Sequence, residues 1–274
     1  MRSQQQDTKL RISRVAGQQP LSWLLAASGY GPLRYARQLI SAGRITINDT
    51  CMTNIHSRAD PTHDMLYLDH KIVSYGPFCR YIAIYKPYNV VCAFTDPEGR
   101  PTLADYVPIV GIEAAGRLDY DSEGLLILTN DGWLSHRLTH PNYEHPKTYL
   151  VQVEGVPDEH ALEALRAGVV IKGQTTRPAQ VDILTEPIVA PRSTPIQYRH
   201  NVPTAWLQIV LREGRKRQLR HMTAAVSCPT LRLLRIAIGP VHLAGLEPGA
   251  WRDLCEEEMQ ALNYMPRLLR QRSK

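Results

Sequence analysis

Apolar positions along the chain follow two regimes, one on each side of a short turn-rich segment near residue 76. In the first, Leu21, Leu24 and Leu25 recur at helical spacing, which predicts a short amphipathic helix ending near Gly29. A second helix is predicted from Pro32, whose fixed φ suits a first turn. Leu33, Ala36, Leu39 and Ile40 form its apolar face and Gly43 stops it. Residues 44–47 then alternate like a strand, turned by Asn48-Asp49. Tyr75-Gly76-Pro77 reads as a domain boundary. Beyond it the apolar runs are longer, predicting strands over residues 81–85, 125–129, 149–153, 205–211 and 231–238. Asn130-Asp131-Gly132 has the composition of a hairpin turn. Asp158 is placed to cap a helix carrying Leu162 and Leu165 and stopped by Gly168, and residues 218–226 are also helical in pattern. The proline-rich, basic stretch 186–203 reads as a surface loop.

Strands and helices mix without regular βαβ alternation, so the expected class is α+β. The expected organisation is a flexible polar tail (1–17), a small domain (18–76), a large domain (77–256) and a C-terminal tail (257–274). A content of 43% hydrophobic and 21% charged residues is that of a soluble globular chain. No apolar run reaches the roughly 18 residues a membrane helix needs, and the first residues lack a signal peptide's apolar core. A cytoplasmic, monomeric protein without membrane contact is therefore expected.

Five scattered cysteines, with no CxxC pair, suggest neither a zinc site nor a disulfide framework; reduced, mostly buried thiols are expected. The net charge of +6 has its source between residues 210 and 235. Arg212, Arg215, Lys216, Arg217, Arg220, Arg232 and Arg235 stand there against the single acid Glu213. Such clustering points to a polyanionic partner, typically nucleic acid. In the small domain, Arg34, Arg37 and Arg44 fall off the apolar stripe and are candidate phosphate contacts. An ordinary solvated helix face explains Arg37 nearly as well.

The candidate chemistry lies in Gly116-Arg117-Leu118-Asp119-Tyr120-Asp121-Ser122-Glu123-Gly124. Three alternating carboxylates superficially invite a metal, but an EF-hand would require glutamate where Asn130 stands. Asp121 and Glu123 are readily explained as turn residues satisfying backbone amides. Asp119, just before the turn, is left as the candidate reactive group.

GRLDYDSEGLLILTNDG resembles the signature of the RsuA-type pseudouridine synthases. IYKPYNVVCAFTDPEGRPTLADYVP, KTYLVQVEGVP and EGRKRQLRHMTA are similar to that family's other segments, in the same order. RPTLADYVP, VPTAWLQIVLREGR and PTLRLLRIAIG are especially like a branch acting on large-subunit ribosomal RNA. Residues 18–76 resemble, less closely, an S4 RNA-binding domain. Pro32-Leu33-Arg34 replaces its usual Ser-Arg-Arg and Asn48-Asp49 its Asn-Gly turn.

The resemblance implies a catalytic domain with a mixed, largely antiparallel sheet and a central cleft, joined to a small S4-like α/β domain. It implies isomerisation of uridine to pseudouridine in ribosomal RNA, with 23S rRNA, naked or in a pre-50S particle, as the partner. Since atoms are neither gained nor lost and no redox change occurs, neither cofactor nor metal is required. Asp119 takes the catalytic role, as nucleophile at C1′ or as base at C2′. Arg220 is expected to keep that carboxylate charged under the base. Tyr149 and Leu219 are expected to sandwich the extruded uracil, although a strand tyrosine and a buried leucine need no function. Arg117 is expected to fill the gap that the nucleotide leaves. Lys86, Lys216 and Arg217 are further expected RNA contacts, though Lys86 serves equally well as a brace for the Lys86-Pro87 corner. His221 departs from the family, where a second arginine is frequent. Two other readings are a non-catalytic RNA-binding or ribosome-assembly protein, and a metal-dependent nuclease built on Asp119, Asp121 and Glu123.

Overall fold

The computed structural model describes residues 17–61, 63–73, 79–109, 111–196, 198–199, 201–243 and 245–262. The expected boundary at Tyr75-Gly76-Pro77, and nearly all of the expected N-terminal tail, lie outside the described residues. The chain divides into two compact units, the first running to Cys79 and the second beginning at Arg80.

In the first unit, α1 (Leu21–Ala27) and α2 (Leu33–Ser41) share an apolar face. Leu21, Leu24, Leu25, Ala36 and Ile40 are wholly enclosed there with Ile45 and Leu66. Pro32 stands one residue ahead of the expected first turn, as the N-cap of α2. A four-stranded antiparallel sheet follows, made of β1 (Ile45–Ile47), β2 (Thr50–Met52), β3 (Leu66–Leu68) and β4 (Lys71–Ile72), in the order β2-β1-β3-β4. Asn48 and Asp49 both have positive φ and join β1 to β2, matching the right-handed twist of the paired strands.

The second unit is organised by a nine-stranded sheet. Its main elements are β5 (Tyr81–Lys86), β6 (Glu123–Thr129), α3 (Gly132–Thr139), β7 (Lys147–Glu154) and α4 (Glu159–Ala167). They continue as β8 (Gln180–Leu184), β9 (Thr204–Leu211), α5 (Gln218–Ala225), β10 (Thr230–Ile238), β11 (Trp251–Asp253) and α6 (Glu256–Ala261). The strand path is β8-β9-β7-β10-β6-β5-β11, antiparallel except where β10 runs parallel to β6. At that seam Gly124 faces Arg235. Gly124 has φ +105°, and a Cβ on it would lie 2.2 Å from the Arg235 carbonyl oxygen, so only glycine fits.

Side chains alternate across this sheet and build an apolar cluster on each face. Tyr149, Val151, Val153, Leu207 and Ile209 face one cluster with Leu118, Leu162, Leu165 and Leu219. Leu150, Trp206, Leu234, Leu125 and Ile127 face the other with Leu134 and Leu138.

Three expectations need correction, and one strand has no sequence signal. Asn130-Asp131-Gly132 does not turn a hairpin: the Asp131 carboxylate accepts the Trp133 and Leu134 N–H groups and starts α3. Strand β8 buries only Val181 fully and so carries no apolar alternation in its sequence. The expected tail from 257 contains most of α6, and Leu262 is 1% exposed in the core. The thiols are not mostly buried: of the five, Cys228 alone is.

Candidate active site

The loop bearing Asp119 is clamped at three points. The Leu118 N–H donates to Cys92 Sγ at 3.2 Å, and the Asn89 N–H donates to the Tyr120 carbonyl at 3.0 Å. The Ser122 N–H closes the turn on the Asp119 carbonyl at 3.1 Å. Leu118 goes into the core, so Asp119 is held at the rim with its side chain 31% exposed. Sequence alternation thus places the apolar neighbour inward and the carboxylate outward.

Lys86 supports the same corner from beneath. It is fully buried, and its ammonium donates to the Pro87 carbonyl at 2.7 Å and the Val90 carbonyl at 2.8 Å. The expectation that Lys86 contacts RNA is therefore corrected: it has no solvent-facing surface. Burial lowers its pKa to about 8, against the opposing pull of Cys92, Glu123, Asp121 and Asp119.

The carboxylates after Asp119 are more than turn chemistry. Arg217 donates through both terminal nitrogens to the two Asp121 oxygens, each at 2.9 Å, and one of those nitrogens lies 3.9 Å from Asp119 Oδ2. Arg220 Nη2 donates to the Asp121 carbonyl at 2.5 Å and lies 3.3 Å from its carboxylate. Burial pushes the Asp121 carboxyl up, but the two arginines outweigh it and hold it below the usual carboxylate range. Burial lowers the Arg220 pKa, while Asp121 and Asp119 both support its charge. The expected direct pairing of Arg220 with Asp119 thus becomes an indirect one. Two guanidiniums share Asp121, and the positive charge left over faces Asp119.

Glu123 is not a turn residue either. It lies in β6, 3% exposed, and makes a two-pronged pair with Arg232 at 3.0 and 2.9 Å. With Asp121 and Glu123 both held by arginines, the three carboxylates do not converge as a metal cluster. Arg232 and Arg235 are buried in β10, so the basic run counted from sequence is partly internal.

Tyr149 and Leu219, 9% and 4% exposed, meet in the cluster that takes Leu118. Leu219 comes from α5, whose N-cap Arg217 adopts the left-handed conformation, φ +54°. That turn points Arg217 and Arg220, one helical turn apart, at the Asp119 loop. Arg117 and Lys216 are exposed. The arginine spacing across 217 and 220 was the available sign that both act on one partner; the role of Asp121 had no sequence sign. In the first unit Arg34 and Arg37 are exposed, whereas Arg44 forms an ion pair with Asp69.

Residues 80–225, which contain the clamped aspartate, the paired arginines and the buried tyrosine, match the family model described as RNA pseudouridylate synthase. The chain belongs to that family. It is 50% identical over 173 residues to ribosomal large subunit pseudouridine synthase E of Vibrio parahaemolyticus, covering 63% of this chain and 73% of the relative. It is 31% identical over 247 residues to ribosomal large subunit pseudouridine synthase B of Bacillus subtilis, covering 89% and 96%. A crystal structure of a pseudouridylate synthase superposes with a TM-score of 0.58 at 28% identity, over 88% of this chain and 98% of that one. The protein is accordingly an RNA pseudouridine synthase, and its catalytic fold is the mixed sheet described above.

Proposed function

We propose that this synthase isomerises a specific uridine in large-subunit ribosomal RNA, with Asp119 as its catalytic carboxylate. The observation that carries this reading is the placement of Asp119 on a clamped turn, 3.9 Å from Arg217 and above the Tyr149–Leu219–Leu118 cluster. The N1–C1′ bond breaks, uracil turns over Tyr149, and C5 joins C1′ and gives up its proton while N1 takes one up, so no net atom or electron is required. Arg217 and Arg220, anchored on Asp121, supply fixed positive charge without the reorganisation that water would need. The target must leave its stack to reach this site, and exposed Arg117 beside Asp119 is placed to occupy the gap. Identity of 50% to one large-subunit enzyme, and of 52% to another from Xanthomonas campestris, supports the choice of large-subunit RNA.

Lys216 and, in the first unit, Arg34 and Arg37 are proposed phosphate contacts, the latter two on an S4-like domain spanning about 18–76. Arg44, half-exposed beside Asp69, is a proposed phosphate contact in the same domain. Asp119→Asn is expected to abolish tritium release from C5-tritiated uridine in ribosomal RNA while RNA affinity is retained. Release at the wild-type rate would remove Asp119 from the mechanism. Mapping pseudouridines in ribosomal RNA with and without the gene tests the subunit assignment.

A further inference from the structure

A group of basic side chains beside Tyr149 takes no part in the Asp119–Arg217–Arg220 arrangement. Lys147 and Tyr149 project from the same face of β7, and Arg235 of β10 is the residue paired directly with Tyr149. Arg235 is 3% exposed; its Nε donates to the Leu125 carbonyl at 2.7 Å, while Nη2 is buried without a partner. The Lys147 ammonium donates to the His145 carbonyl at 3.1 Å, and His145 Nε2 is buried without a partner. On α3, the Arg137 guanidinium rests over the rings of Trp133 and Tyr143 at 5.4 and 5.2 Å, with its Nε also buried and unpartnered.

We propose that Arg137, His145, Lys147 and Arg235 form a seat for an RNA phosphodiester next to the extruded uridine, a site that deepens the synthase reading and rests on it. Lys147 links the group: it donates to the His145 carbonyl and lies two residues from Tyr149, the partner of Arg235. The charges of Arg137 and Lys147 both act on His145. Arg137, His145 and Arg235 each bury one nitrogen without a partner. Burying such atoms without acceptors opposes folding, so they belong where a ligand brings the acceptors. Burial and then Arg235 push the Lys147 pKa down to about 8; burial and then Arg137 and Lys147 push down that of His145. No carboxylate acts on either among the described residues, so a counter-charge is wanted from outside.

A phosphodiester supplies one negative charge and two acceptor oxygens, which suits a guanidinium–ammonium pair. Location supports RNA as its source. A Cβ on Gly116 would lie 3.4 Å from the Thr139 methyl, so the last turn of α3 adjoins the segment leading to Arg117 and Asp119. Arg137, His145 and Lys147 are partly exposed and form the rim, with Arg235 as the floor.

The test measures binding of a large-subunit ribosomal RNA stem-loop by fluorescence anisotropy across a salt series. Lys147→Gln and Arg137→Gln are each expected to bind about tenfold more weakly, with the log–log salt slope reduced by about one. Replacing single phosphates by neutral methylphosphonates should identify one linkage that weakens the wild type about tenfold and leaves Lys147→Gln unaffected. Variants with wild-type melting temperatures, unchanged slopes and no such linkage would overturn the proposal. Competition by millimolar inorganic phosphate that removes the slope difference would mark a free-phosphate site and overturn the RNA assignment. If Lys147→Gln does not fold, the methylphosphonate comparison is made with Arg137→Gln at the rim. Should wild-type protein form no pseudouridine while the binding differences hold, the seat stands and the proposed reaction on this RNA falls.

Discussion

Asp119 is the residue that sequence exposes best, and its two neighbouring carboxylates are the ones it conceals. All three share a glycine-bounded segment, but their environments diverge within four residues. Asp119 stays at the rim, Asp121 is shared by two arginines, and Glu123 is enclosed with Arg232. The distinction depends on partners about a hundred positions away, which local spacing does not encode. Its consequences are separable by mutation. Glu123→Gln leaves Arg232 buried without its counter-charge and is expected to cost about 3–5 kcal/mol of stability in urea unfolding. Arg217→Lys keeps the charge but loses the two-pronged grip on Asp121. Single-turnover conversion is expected to fall at least tenfold, with little change in melting temperature. An unchanged rate would mean that Arg217 positions nothing relevant to Asp119.

At the scale of elements, legibility followed burial. Both helices of the first unit, and strands β7, β9 and β10, were readable because their apolar positions recur with the period of their structure. Edge strand β8 was not, since one buried valine gives no period. Helix α3 shows a different failure. Asn130-Asp131-Gly132 has the composition of a tight turn, and only the following residues, packing Leu134 and Leu138 inward, decide for a helix. Capping is then the function of Asp131, and Asp131→Ala is expected to cost about 1 kcal/mol in denaturant unfolding. Because α3 carries Arg137, the same helix that composition concealed bears the rim of the proposed phosphate seat. The Asp119 loop could be located from sequence; this seat could not, because its members come from α3, β7 and β10.

For the whole molecule, charge and proton binding give the clearest expectations. Lys86 has a pKa of about 8 in the folded chain against 10.5 ordinarily. Between those values the unfolded chain holds the proton and the folded chain releases it, so stability should rise with pH across that window. Tyr85 opposes this at the upper end: burial, with Glu123 adding to it, raises its pKa from 10.0 to about 12. Above pH 10 the unfolded chain loses that proton first and stability should decline. The expected profile therefore climbs from about pH 8 and turns over near pH 10. Lys86→Met, lower in overall stability, should lose about half of the climb in unfolding free energy measured by urea, because Lys147, with its pKa also lowered to about 8, supplies the rest. RNA affinity should also fall as pH passes about 8, where Lys147 beside Arg235 and His145 loses its charge. That component should be missing from Lys147→Gln.

The parallel seam between β6 and β10 has a consequence for when the enzyme becomes active. It joins Gly124 to Arg235, and Arg217 and Arg220 reach the site only once α5 is folded between β9 and β10. During synthesis, a chain that has emerged only as far as β9 carries Asp119 and Tyr149 but neither Arg217 nor Arg220. If Asp119 works as proposed, such a nascent protein lacks the fixed charge beside it and is expected to form no pseudouridine. On the proposed mechanism, the distance in sequence between Asp119 and these two arginines thus makes activity wait until most of the chain has been made.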